Sequence, residues 1–232
     1  GIFLAVKLLH QRKFLSLVNA EAKIDFKRFF TGFGIWFFLG IIAATLGILL
    51  EPENIEFTFK PAEWFPLLAC ALLLTPIQTS TEELFFRGYI IQGLSRIAKQ
   101  PFLLIVISSL LFMLPHLSNP EVQRGFIWLA LHYFSFGVFC SLITIKDNRL
   151  ELALGVHAAN NLFNVFITTK DSVLPIQAIW LVKEPGEPQW TLLWFLGECA
   201  LFYLIVFGFF GQRKKLNKLR TEELQGKEET IL

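Results

Sequence analysis

Two adjacent carboxylates and an arginine, Glu82, Glu83 and Arg87, stand between the apolar runs 67–77 and 84–94. Ionisable groups in such a setting are costly and mark either a paired structural element or a functional site. On a helix Glu83 and Arg87 are i and i+4, so they share a face and can pair. Glu82 points about 100° away from Glu83 and is left for another task. Two further polar groups follow in apolar sequence. His116 ends a largely aliphatic run that contains Phe112, and His157, Asn160, Asn161 and Asn164 recur at i, i+3, i+4 and i+7, one stripe of a helix. The plain structural alternative for that stripe is hydrogen bonding between helices. Together the three groups hold the parts needed to hydrolyse an amide. A carboxylate can take a proton from water, and an imidazole can share or return it. Imidazole and carboxamide N–H groups can donate to the developing oxyanion. No Ser, Cys or Thr is obviously set beside a base, so water is the expected nucleophile.

These residues need a scaffold that keeps polar groups away from lipid. The composition supplies one: 54% hydrophobic and only 17% charged, where a soluble domain carries about a quarter charged residues. The expected fold is all-α, a polytopic membrane bundle of about six spans in residues 29–211. The spans fall at 29–50, 64–94, 100–120, 125–145, 152–169 and 190–212. The second is too long for one straight crossing and contains Pro66 and Pro76, which predicts a kinked or partly protruding helix. Residues 172–182 are apolar but too short to span, and read as interfacial or re-entrant. Residues 1–28 form a basic, interfacial segment or the end of a cut helix, and 212–232 a charged cytoplasmic tail. With both ends cytoplasmic, seventeen of the 21 Lys and Arg fall on the cytoplasmic side and four opposite, which fixes the expected orientation. One tension arises. At 1.5 Å per residue His116 lies about 20 Å from the cytoplasmic side and His157 about 10 Å, so tilt or a recessed helix start must bring them level.

Cys70, Cys140 and Cys199 all lie in apolar runs, too few and scattered for a disulfide framework, and no CxxC or HExxH spacing exists. There is no glycine-rich phosphate loop and no internal repeat of the kind a transporter would show. Glu198, mid-span, reads as a carboxyl held neutral or hydrogen-bonded between helices, and His132 as a similar buried group with Ser135 as a partner.

The order EExxxR (Glu82, Glu83, Arg87), FxxxH (Phe112, His116), HxxxN (His157, Asn161) resembles the type II CAAX prenyl protease family. The wider group is the CAAX protease and bacteriocin-processing, or Abi, family. The resemblance covers about 66–167. It implies an intramembrane endopeptidase. Glu82 and His116 would activate water, and His157 and Asn161 would hold the oxyanion. Glu83, Arg87 and Phe112 would support the site, and Asn160 stands as a rival to Asn161. It further implies a metal-free site, with a zinc site built on two His and a Glu as the alternative. The expected partners are membrane lipid and a protein or peptide substrate, with no nucleic acid. The expected location is a prokaryotic plasma membrane. A non-catalytic scaffold or bacteriocin self-immunity protein of the same fold is the competing reading.

Overall fold

The computed structural model describes residues 1–172 and 177–209. Short helical turns fill the N-terminal segment, and six helices follow: α1 (Phe26–Leu50), α2 (Pro61–Glu83, continuing through a π-helical turn Leu84–Ile90 and a last turn Ile91–Leu94), α3 (Pro101–His116), α4 (Phe126–Asp147), α5 (Glu151–Phe163) and α6 (Pro188–Tyr203, with a π-helical turn Leu204–Phe209). The expected all-α membrane bundle is observed. The charged tail at 212–232 lies outside the described residues, as do 173–176.

Among the described residues four helices, α1, α2 with its continuation, α4 and α6, are long and apolar enough to cross a membrane, where about six were expected. The stretches expected as spans at 100–120 and 152–169 fold as α3, of 16 residues, and α5, of 13. Both fall short of the ~20 residues a bilayer requires. The apolar run that feeds α5 stops being helical after Phe163 and turns into a strand, β2 (Ile167–Thr169). With β1 (Ile55–Phe57) and β3 (Trp180–Val182) it forms a small sheet of order β1-β3-β2, antiparallel at β1–β3 and parallel at β2–β3. Part of the stretch read as interfacial is therefore strand.

Helices α1, α3 and α5 begin at one end of the bundle, where α2, α4 and α6 finish. The other end carries the small sheet and the segments 51–60, 117–125 and 164–187. Nearly every residue of α5 is buried, and it packs chiefly along α1 and α2. Its start is recessed beneath the N-terminal segment. Leu150 N–H bonds to Val18 O at 2.9 Å, and the buried Glu151 accepts from Asn19 and from Asp25 N–H. This places His157 in line with α3: its ring is 5.9 Å from Phe112, one turn before His116.

Small residues allow the close crossings. A Cβ on Gly155 would lie 2.1 Å from Phe29 O and 2.7 Å from Phe33 N, and one on Gly32 would lie 2.5 Å from Leu152 O. The two glycines thus let α1 and α5 touch backbone to backbone, as in membrane helix pairs generally. Gly137 does the same for α4 against Ser109 of α3, at 2.9 Å. Gly155→Ala is expected to destabilise the protein by about 1–3 kcal/mol through overpacking. Gly34→Ala, on the same α1 helix but with nothing within 4 Å of its Cβ, should be neutral to slightly stabilising, Ala being the better helix former. Thermal unfolding of both variants in one detergent checks this, and equal unfolding temperatures would refute the close-crossing argument.

Candidate active site

The π-helical turn begins directly after Glu83, and π segments are frequent at functional sites. Glu83 and Arg87 nevertheless meet as their spacing predicts, Nη1 donating to Oε1 at 2.7 Å with both side chains fully buried. The same oxygen accepts from His157 Nδ1–H, also at 2.7 Å. One buried carboxylate oxygen thus ties α2 to α5 and holds the imidazole by its Nδ1 edge. Arg87 Nη2 donates to Gly137 O at 3.3 Å, an oxygen that α4 presents where its own glycine allows close approach. The guanidinium carbon lies 4.4 Å over the Phe112 ring, close enough for a cation–π contact. Phe112 is 1% exposed and also touches His116, with ring centroids 4.5 Å apart. A phenylalanine here is therefore the floor on which arginine and both histidines rest.

Glu82 faces elsewhere, as the helical period requires. Its Oε2 is buried without a hydrogen bond and lies 3.8 Å from His157 Nε2. Its Oε1 terminates a chain of donors running head to tail. Trp36 Nε1–H donates to Asn160 Oδ1 at 3.3 Å, Asn160 Nδ2 to Asn161 Oδ1 at 3.1 Å, Asn161 Nδ2 to Gln78 Oε1 at 3.1 Å, and Gln78 Nε2 to Glu82. Each amide in such a chain polarises the next toward the carboxylate. Asn160 and Asn161 are thus distinguished by their neighbours. Asn160 is anchored on Trp36, while Asn161 adjoins Gln78, itself the direct partner of Glu82.

A cavity of about 480 Å³ lies between α2, α3, α4 and α5. Gln78, Phe112, His116, His157, Asn160 and Asn161 are on its wall. The carboxylate of Glu82 contacts two of these, Gln78 and His157. His116 Nδ1–H donates to Phe112 O at 2.8 Å, so in the neutral ring Nε2 is a free acceptor. Its ring lies 4.6 Å from that of Tyr133, whose hydroxyl donates to Glu121. Among the described residues no hydrogen bond or ion pair joins Glu82 to His116; the imidazole that faces Glu82 is His157.

Sequence reasoning missed Gln78, Trp36, Tyr133 and Glu121. Gln78 was detectable, since it stands four residues before Glu82 on the same helix. The others reach the site from separate elements and leave no local signal. His132 lines the cavity with its Nδ1 unpartnered, and no hydrogen bond joins it to Ser135, the partner its spacing suggests. Glu198 is not part of this cavity. It lines a smaller one of about 310 Å³ beside Trp36, Gly40 and Asn160.

Fold and site define an integral membrane protein whose helices enclose a buried Glu–Arg–His cluster beside a polar cavity. A family model described as "Type II CAAX prenyl endopeptidase Rce1-like" matches residues 61–163, which carry Glu82, Glu83, Arg87, Phe112, His116, His157 and Asn161. The chain is 35% identical over 217 residues to "Uncharacterized protein YyaK" of Bacillus subtilis (strain 168), covering 92% of this chain and 72% of the relative. No solved structure matches significantly. The chain belongs to the type II CAAX prenyl endopeptidase family, a family of hydrolases that cut peptides.

Proposed function

We propose that this protein is an intramembrane endopeptidase that hydrolyses a peptide bond of a membrane-associated protein or peptide with an activated water. The observation that carries the reading is the pair of roles assigned to adjacent glutamates. Glu83 is neutralised by Arg87 and fixes His157, while Glu82 keeps a buried, unbonded oxygen facing the same imidazole. A separation of 3.8 Å suits a bridging water better than a direct bond. Glu82 takes the proton from that water as it attacks the carbonyl carbon. His116 Nε2, an acceptor when the ring is neutral, takes up the second proton of the attacking water on the cavity wall and hands that proton to the leaving amine as the C–N bond breaks. His157 Nε2–H, present in the imidazolium, and the second N–H of Asn161 Nδ2 donate to the oxyanion.

In this reading the chemistry is placed on water and these side chains rather than on a metal, because His157 Nδ1 is already committed to Glu83. The protein sits in a prokaryotic plasma membrane with its N-terminal segment and tail on the cytoplasmic side, as the basic residues favour. Peptide profiling of membranes with and without the protein, with Glu82→Ala as control, tests the function. Products should appear only with the wild type, and strong chelation should leave them unchanged. Products from Glu82→Ala would refute the assignment. Loss in chelator with recovery on adding zinc would favour a metallopeptidase.

A further inference from the structure

The active-site cavity is one-sided. Toward the bundle end where α1, α3 and α5 begin, it is backed by fully buried side chains, Arg87, Cys140, Ile143, Leu150 and Leu152, none more than 2% exposed. The N-terminal segment packs across that end, where a separate cavity of about 290 Å³ shares no lining residue with this one. Gln92 donates to Ser16 O and Leu17 O, and Leu17 lies 3.2 Å from where a Cβ on Gly88 would stand. Toward the other end the wall continues through Asn119, Glu121, Arg124, Thr169 and Ser172 to Thr191, polar residues of the inter-helix segments and the first turn of α6. Thr191 is exposed and the rest are partly so.

The two ends differ in charge. Segments 1–28, 95–100 and 146–151 at the sealed end carry ten Lys/Arg against four Asp/Glu. Segments 51–63, 117–125 and 164–187 at the open end carry four Lys/Arg against eight Asp/Glu. Three of those four cations are already paired, Lys60 with Glu63, Arg124 with Asp171 and Lys170 with Glu184. The excess left to face a ligand is acidic. The basic end marks the cytoplasmic side, and an acidic mouth concentrates cations before they dock.

We propose that the cavity is loaded from the extracytoplasmic side and that its substrate is a cationic peptide segment outside the cytoplasm. This deepens the endopeptidase reading, on which it rests, by naming the substrate class. Single reporters Thr191→Cys and Ser172→Cys place a thiol on the open rim, and Lys99→Cys places one at the sealed end. The native cysteines lie within α2, α4 and α6, so the unaltered protein gives the background. A membrane-impermeant maleimide should label the rim reporters in intact cells and Lys99→Cys only after lysis. The reverse pattern, or rim thiols that stay unreactive after lysis, overturns the proposal.

In a second arm, two synthetic peptides with the same apolar centre, flanked by Lys or by Glu, are added to the purified reporters before the reagent. The Lys-flanked peptide should protect the rim thiols at roughly tenfold lower concentration, an advantage that fades with salt. Equal protection, preference for the Glu-flanked peptide, or no protection by either overturns the cationic class. Neither arm requires cleavage. A protein that labels and protects as expected but cuts nothing would refute the endopeptidase reading alone. Wrong-sided labelling in an active protein would refute this proposal alone.

Discussion

Glu82→Gln should abolish cleavage, with a loss of at least 10²–10⁴-fold, the range a general base contributes, while the fold stays intact. The amide has the shape of the carboxylate, and its oxygen can still accept from Gln78. The donor chain from Trp36 therefore keeps its terminus. What disappears is the second oxygen, the one that faces His157 without a hydrogen bond. Putting an amide NH2 in its place takes away the base but leaves a polar group at the same buried position, so unfolding temperature should stay near that of the wild type. Cleavage kinetics and thermal unfolding in one detergent measure both. Full activity in Glu82→Gln would remove Glu82 from the chemistry. A large fall in stability would show that the carboxylate is structural.

The contrast between these two glutamates was legible because it rests on local geometry. Helical spacing alone pairs Glu83 with Arg87 and turns Glu82 aside, and it aligns His157 with Asn160 and Asn161 on α5, with Asn164 just past its end. The convergence of these elements was not legible. Glu83 and His157 are separated by 74 positions, and no pattern within either helix announces that one oxygen will serve both an arginine and a histidine. The difference in span count has another cause. A charge-free stretch reports solubility in lipid, not where hydrogen bonding changes from helix to strand. Residues 152–169 are charge-free throughout, yet the helix ends at Phe163 and Ile167–Thr169 joins a sheet whose other strands are Ile55–Phe57 and Trp180–Val182. Three-residue strands so far apart carry no periodicity to read. The recessed start of α5 likewise depends on Val18 and Asn19 reaching Leu150 and Glu151 from more than a hundred residues away.

Glu83 and Arg87 should behave as a unit, with consequences that extend to His157. Glu83→Gln leaves the guanidinium facing Gly137 O and the Phe112 ring with no counter-charge. A buried pair broken on one side costs about 3–5 kcal/mol. Arg87→Gln leaves the Glu83 carboxylate with only the imidazole as partner and should cost a similar amount. The double variant Glu83→Gln/Arg87→Gln strands neither charge, so its loss of stability should be well below the sum of the single losses, a coupling of about 0.5–3 kcal/mol. Activity should not recover with stability. A neutral amide accepts from His157 Nδ1–H about half as strongly as a carboxylate does, so the imidazole loses the anchor that aims Nε2 at Glu82. Thermal unfolding and cleavage rates for the wild type and the three variants separate these effects. Additive stabilities would show that the two side chains are energetically independent despite their 2.7 Å contact. A double variant restored in both stability and cleavage would show that the pair serves only to fill the core and that Glu83 does not act through His157.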